Sequence, residues 1–141
     1  GVIYALLKGG AKVGIYNRTK EKASELAKYF GDLFGVNIMS GGIEEISVGD
    51  ILINTTSIWL ENEQAKIEDL MAENLVAGFK TVMDIVYKPL FTPLIAAAQK
   101  AGLKVITGDK MFLYQAAAQF KLWTGKEAPV EVMRETLGKL I

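Results

Sequence analysis

The sequence predicts an α/β fold, a doubly wound parallel sheet with helices on both faces. Short apolar runs alternate with amphipathic stretches along the chain, which is typical of parallel strands joined by helices. Polar residues directly follow several of the apolar runs, as they do at the ligand-binding edge of an open α/β sheet. Half of the 141 residues are apolar, so the chain can bury a core of domain size.

The first forty residues alternate between helix and strand. We expect, in order, a helix at residues 2–7, a strand at 11–16, a helix at 20–30 and a strand at 35–39. The first helix ends at Gly9 and Gly10, and Thr19 is the natural N-cap of the second. Four apolar residues at helical spacing make the second helix amphipathic: Ala23, Leu26, Ala27 and Phe30.

The remainder of the chain continues this alternation. Seven elements are expected: strands at residues 50–54, 81–86 and 103–106, helices at 92–101, 111–123 and 130–140, and a helical turn at 67–71. Pro93 at the first position of one helix and Gly102 just past its end are typical of helix termini. We expect turns at residues 40–42 and 107–109.

Composition limits the chemistry. Lysine plus arginine equals aspartate plus glutamate, at 16 each, so no net charge attracts nucleic acid or an anionic membrane. Cysteine and histidine are absent, which removes disulfides, thiolate metal sites and the commonest general base. No apolar run approaches the length of a membrane span, and nothing resembles a signal peptide. We therefore expect a cytoplasmic protein without a metal site.

The predicted sheet lacks its usual beginning. A Rossmann-type sheet has its first strand at the centre, followed by a glycine-rich turn that binds the pyrophosphate of a dinucleotide. The predicted elements start inside the helix that should follow that turn. The strands at 11–16 and 50–54 would then lack a shared neighbour. We expect these residues to be the C-terminal part of a longer polypeptide, without the first strand and glycine loop.

The residues after the predicted strand at 11–16 carry an unusual charge pattern. Arg18, Lys20 and Lys22 surround the start of a helix, where acidic residues are ordinarily favoured. In dinucleotide-binding folds an acidic residue at this place usually binds the ribose 2′-hydroxyl of NAD. Asn17, Arg18 and Thr19 stand there instead, which predicts a pocket for the 2′-phosphate of NADP. From the cluster alone, solvated side chains on an exposed helix are equally well supported.

Two further groups of polar residues fall at predicted strand ends. The segment 54–57 is Asn-Thr-Thr-Ser, and taken alone a turn that satisfies its own backbone is the favoured interpretation. Asp84 lies in an apolar run and needs a partner if it is buried, so we favour a structural role in capping a loop. Tyr87, before Lys88-Pro89, is interpreted either as packing or as a ligand contact.

Gln115 lies within an apolar stripe of the predicted helix at 111–123. Met111, Ala118 and Leu122 share its face. An unpaired amide buried there would cost roughly 1–3 kcal/mol. We therefore expect either the backbone or a ligand hydroxyl to satisfy Gln115.

Together these motifs resemble the C-terminal, NADP-binding half of the shikimate dehydrogenase family. The segments that carry the resemblance span almost the whole chain: Asn17-Arg18-Thr19 with Lys22, residues 54–57, residues 84–89 with Thr92, residues 108–115, and Trp123-Thr124-Gly125. The resemblance implies NADPH-dependent reduction of 3-dehydroshikimate to shikimate. It also implies a separate N-terminal substrate domain that holds the catalytic lysine and aspartate, and it leaves a homodimer possible.

The resemblance assigns roles to eleven residues and no catalytic residue to this chain. Those that would hold the 2′-phosphate are Asn17, Arg18, Thr19 and Lys22. Those that would line the nicotinamide side are Thr56, Ser57, Ile85, Gly108 and Met111. Tyr87 and Gln115 would face the substrate. Alone, this segment is predicted to be inactive.

The sequence departs from the family in two places. Ile58-Trp59-Leu60 follows the serine-containing loop, and Asp109-Lys110 stands where members often have a second glycine. The second departure keeps a quinate or quinate/shikimate dehydrogenase open. A non-catalytic NADP-binding module of a multifunctional protein is a further alternative. Glutamyl-tRNA reductase has a similar basic turn but lacks the helix that ends in Trp-Thr-Gly, so it ranks low.

Overall fold

A computed structural model describes residues 1–56 and 73–140. It divides into two compact units, Gly1–Ser47 and Val48–Ile141. Every strand pair within each unit is parallel, which confirms the predicted α/β class. Within the described residues, β1 (Gly14–Tyr16) pairs with one strand and β3 (Gly49–Asn54) pairs with one strand.

The first unit contains two strands and two helices. Its elements are α1 (Val2–Lys8), β1, α2 (Lys20–Phe34), β2 (Met39–Gly41) and a 3₁₀ turn (Ile43–Glu45). The core is formed by Ile15, Ala23, Ala27 and Ile38. The expected apolar face of α2 is confirmed at Ala23, Ala27 and Phe30, whereas Leu26 is exposed.

The predicted end of α2 at residue 30 and the predicted strand at 35–39 are wrong. The helix continues to Phe34 and ends at Gly35, which adopts the left-handed conformation with φ 67°. The chain beyond this helix end folds back so that the Val36 carbonyl packs against Gly31. A Cβ at position 31 would lie 2.9 Å from that oxygen, so glycine makes the close approach possible. The strand consequently begins only at Met39 and includes Ser40 and Gly41, which were expected in a turn.

The second unit contains a three-stranded sheet in the order β3–β4–β5. Its other elements are α3 (Glu73–Val76), β4 (Phe79–Asp84), α4 (Pro93–Lys100), β5 (Lys104–Ile106), α5 (Gly108–Thr124) and α6 (Val130–Leu137). The core consists of Val76, Val82, Leu94, Ile95 and Ala98. No helix among the described residues is long and apolar enough to cross a membrane.

Several predicted boundaries in this unit are shifted. β4 ends at Asp84 and not at residue 86, because the Asp84 carboxylate accepts a hydrogen bond from the Val86 amide and turns the chain. α5 begins at Gly108 with Thr107 as N-cap, so the predicted turn at 107–109 is wrong. α6 ends at Leu137 and not at 140, and α3 was not anticipated. The predicted helical turn at 67–71 lies outside the described residues.

Candidate functional site

The four residues expected to hold a 2′-phosphate lie together between β1 and the first turn of α2. The Asn17 amide donates to the Gly41 carbonyl at 3.1 Å, which extends the β1–β2 pairing by one bond. The Asn17 side chain then accepts a hydrogen bond from the Thr19 amide at 2.9 Å. The Lys22 amide donates to the Thr19 carbonyl at 3.1 Å. These bonds hold the backbone of residues 17–22 in one conformation.

Thr19 is the N-cap of α2, as expected, but its side chain does not cap the helix. Its backbone is extended, and its hydroxyl makes no hydrogen bond with any described residue. Thr92 shows the contrast, because its hydroxyl accepts from the Ile95 amide at 3.3 Å. The first turn of α2 therefore retains a free hydroxyl beside amides that carry partial positive charge.

The three cations around this helix start are not equivalent. The Lys20 ammonium lies 2.7 Å from a Glu44 carboxylate oxygen and 2.6 Å from one of Glu45. These hydrogen bonds raise the pKa of Lys20 and lower the pKa values of both carboxyl groups. Arg18 and Lys22 form no ion pair with any described residue. Two cations thus remain available to an anion.

A second group of expected site residues meets at the carboxyl edge of the three-stranded sheet. Thr56 follows β3, Ile85 follows β4 and Gly108 follows β5. Asn54 holds Thr56 in place. Its side-chain oxygen accepts hydrogen bonds from the Thr56 amide at 3.0 Å and from the Thr56 hydroxyl at 2.7 Å. The Ile85 amide donates to the Asn54 carbonyl at 3.2 Å. Ser57 lies outside the described residues.

Asp84 is fully buried beneath this edge and has three hydrogen-bond donors. Its Oδ1 accepts from Asn54 Nδ2 at 3.1 Å and from the Val86 amide at 3.0 Å. Its Oδ2 accepts from the Thr92 hydroxyl at 2.7 Å. Burial raises the pKa of Asp84, and the three hydrogen bonds oppose that rise. The carboxylate therefore holds the ends of β3, β4 and α4 together, which is the structural role favoured from the sequence.

Gly108 is buried where α5 starts against the chain leaving β4. A Cβ at this position would overlap the carbonyl oxygens of Ile85 and Val86, which are backbone atoms and move only with the strand end. Gly108→Ala should therefore destabilise the chain by about 1–3 kcal/mol, the usual cost of overpacking. Urea denaturation measures this. Gly138→Ala, where the nearest atom is 3.5 Å away, is the matched control. Equal stability of the two variants would contradict the close contact.

The two residues expected to face the substrate are both exposed. The Tyr87 ring packs against Phe112 of α5, with ring centroids 4.8 Å apart. Gln115 is exposed, as is Leu122 on the same face, while Met111 is half-buried. The expectation that Gln115 sits in a buried stripe is wrong, because α5 buries Leu113 instead. Its amide is available to a ligand and needs no internal partner.

Two features, one in each unit, escaped the sequence-based predictions. Glu44 and Glu45 pair with a lysine more than twenty positions away, and no local pattern indicates that pairing. Asp109 carries a buried Oδ1 that has no hydrogen-bond partner among the described residues. In the part of the chain that the structure describes, no three acidic side chains form a metal-binding group.

Comparisons with known proteins find relatives in sequence and in structure. Residues 110–137 match the family model of the shikimate 5′-dehydrogenase C-terminal domain. The shikimate dehydrogenase (NADP(+)) of Methanococcoides burtonii is 42% identical over 138 residues, which cover 96% of this chain and 49% of that protein. The chain thus spans about half the length of the curated relatives it matches.

Two solved structures have the same fold. A shikimate 5-dehydrogenase from Thermus thermophilus, in complex with NADP(H) and shikimate, is 31% identical with a TM-score of 0.76, over 99% of this chain and 50% of that one. A quinate dehydrogenase from Corynebacterium glutamicum, in complex with NAD, is 25% identical with a TM-score of 0.80, over 98% and 50%. These similarities show that the chain resembles about half of each of these dehydrogenases, in sequence and in fold.

Proposed function

We propose that this chain is the NADP-binding part of a shikimate dehydrogenase, an oxidoreductase of aromatic amino-acid biosynthesis. The reaction is the reversible reduction of 3-dehydroshikimate to shikimate by NADPH. Similarity to relatives named as NADP(+)-dependent shikimate dehydrogenases supports this proposal. Because those relatives are about twice as long, an N-terminal substrate domain is part of the proposal.

The arrangement around residues 17–22 is the observation that carries the proposal. An NAD site would ordinarily place an acidic side chain here, to accept a hydrogen bond from the 2′-hydroxyl. The chain instead presents Arg18 and Lys22 without ionic partners among the described residues, and the free hydroxyl of Thr19. Together with the positive end of α2, these groups suit a phosphate dianion.

The proposed mechanism assigns binding and orientation to this chain. When bound, NADPH supplies the hydride. Asn17, Arg18, Thr19 and Lys22 bind the 2′-phosphate. Thr56, Ser57, Ile85, Gly108 and Met111 line the nicotinamide side, with Gly108 leaving the sheet edge free of a side chain. Tyr87 and Gln115 bind substrate. No residue of this chain is assigned the proton transfer, and the cytoplasmic location and a possible homodimer remain predictions.

Asp109 keeps a quinate or quinate/shikimate dehydrogenase as the second candidate. Its Oδ1 is buried without a described partner, at the start of the helix that follows β5. A carboxylate there can accept a hydrogen bond from a ligand, and it narrows the space beside the nicotinamide. The similarity to a quinate dehydrogenase in complex with NAD also supports this second candidate, whereas Arg18 and Lys22 favour NADP as the cofactor.

A binding experiment on the purified chain tests the cofactor proposal. Adenosine 2′,5′-bisphosphate and AMP differ only in the 2′-phosphate, and calorimetry gives both affinities. We expect the bisphosphate to bind at least about tenfold more tightly, since a hydrogen bond to a charged group contributes roughly 1.5–3 kcal/mol. Equal affinities would contradict the 2′-phosphate site. An assay of the full-length enzyme with shikimate and with quinate then separates the two candidate activities.

A further inference from the structure

Lys20, Glu44 and Glu45 form a three-residue ionic cluster in the first unit. Glu45 Oε1 accepts from the Lys20 ammonium at 2.6 Å and also from the Gly42 amide at 3.2 Å. The Lys20 ammonium reaches Glu44 as well, at 2.7 Å. The cluster joins the first turn of α2 to the 3₁₀ turn that follows β2. All three side chains are about half exposed or more, so their contribution to stability is expected to be small.

The cluster lies beside the residues proposed to hold the 2′-phosphate. The Asn17 amide donates to the Gly41 carbonyl, and both carboxylates fold back over the Gly41–Gly42 backbone. A Cβ on Gly41 would lie 2.5 Å from Glu45 Oε2. These contacts place the two carboxylates beside the backbone that pairs with Asn17, which is one of the residues proposed to hold the phosphate.

The charges of the cluster decide its effect on an anion. Hydrogen bonds from Lys20 lower the pKa values of Glu44 and Glu45, so both are ionised at neutral pH. With Lys20 the cluster carries one net negative charge, and without Lys20 it would carry two. The Debye length is about 10 Å at 0.1 M salt, so a dianion held by Arg18 and Lys22 would experience that difference.

We propose that Lys20 is a positioning residue that determines selectivity for the 2′-phosphate. It does not bind the phosphate. It neutralises and holds Glu44 and Glu45, which would otherwise repel the dianion and compete for Arg18 and Lys22. This inference rests on the proposed NADP site and adds three residues that the family resemblance does not assign to it.

Four variants of the chain test the inference. These are Lys20→Met, the double variant Glu44→Gln/Glu45→Gln, the triple variant that combines all three changes, and Lys28→Met as a control. Lys28 lies on the same helix and makes an exposed ion pair with Asp32 at 2.9 Å. For each variant, calorimetry gives the ratio of affinities for adenosine 2′,5′-bisphosphate and AMP. The ratio is measured at about 0.05 M and about 0.5 M salt, because charges are screened much more strongly at the higher concentration. Circular dichroism checks that each variant is folded.

We expect Lys20→Met to lower the ratio by about 3- to 10-fold at low salt and by less than about twofold at high salt, because the repulsion is electrostatic and screened. The triple variant, whose cluster is neutral, should recover at least the wild-type ratio. The double variant should not fall below that ratio, and Lys28→Met should not change it. An unchanged ratio in Lys20→Met would overturn the inference. So would a loss that persists at high salt or in the triple variant, since Lys20 would then bind the phosphate itself. If the wild-type chain bound adenosine 2′,5′-bisphosphate and AMP equally well, the NADP proposal on which the inference rests would be overturned instead.

Discussion

Arg18→Ala should lower the affinity of the chain for adenosine 2′,5′-bisphosphate by about 10- to 100-fold and leave the affinity for AMP within about twofold. Arg18 presents a planar guanidinium that can form two parallel hydrogen bonds to one phosphate. Its loss removes interactions that each contribute roughly 1.5–3 kcal/mol. Calorimetric titration of wild type and variant with both nucleotides measures the two changes separately.

Arg134→Ala is the matched control for this prediction. Arg134 is the other arginine of the sequence, and it lies on α6, 3.4 Å from Glu131. Its removal should change neither affinity. If Arg18→Ala weakened both nucleotides equally, the side chain would contact a part of the ligand other than the 2′-phosphate. The assignment of residues 17–22 would then be wrong.

Asp84→Ala should reduce the free energy of unfolding by about 2–4 kcal/mol. The substitution leaves Asn54 Nδ2, the Val86 amide and the Thr92 hydroxyl without their acceptor in a fully buried place. An unsatisfied buried donor costs about 1–3 kcal/mol, and local relaxation recovers part of the sum. Urea denaturation followed by circular dichroism measures the change in midpoint.

Asp50→Ala provides the comparison for Asp84. Asp50 lies on the adjacent strand β3 and pairs with Lys80 at 2.7 Å, but both side chains are more than four-fifths exposed. Its loss should change stability little, since exposed ion pairs contribute weakly. Asp84→Asn should fall between the two, because an amide retains one acceptor oxygen. A similar midpoint for Asp84→Ala and Asp50→Ala would mean that the hydrogen-bonded carboxylate does not hold the sheet edge.

The elements whose signals are local were predicted well. α4 has Pro93 at its first position and Gly102 just past its end, and it was predicted to within one residue at each end. β3 and β5 were also predicted to within one residue. Capping residues and apolar spacing act over about four positions, so the sequence contains all the information that these elements need.

The boundary errors occurred where a contact at the end of an element, and not the periodicity of the element itself, set the boundary. α2 runs past Gly31 because the Val36 carbonyl packs there, and β4 stops at Asp84 because its carboxylate binds the next turn. Gln115 was placed in a buried stripe, although α5 turns Leu113 and not Gln115 towards the core. Periodicity defines the faces of a helix but does not state which face the rest of the fold covers.

The sequence by itself determined the α/β class, most of the order of elements and the cluster of cationic residues at the start of α2. These depend on residue type and short spacing. Only the tertiary structure decided which of those cations is available. Lys20 is bound by two glutamates that lie more than twenty positions away, whereas Arg18 and Lys22 have no ionic partner among the described residues. Charge pairing depends on distance in space, and folding brings those carboxylates to Lys20.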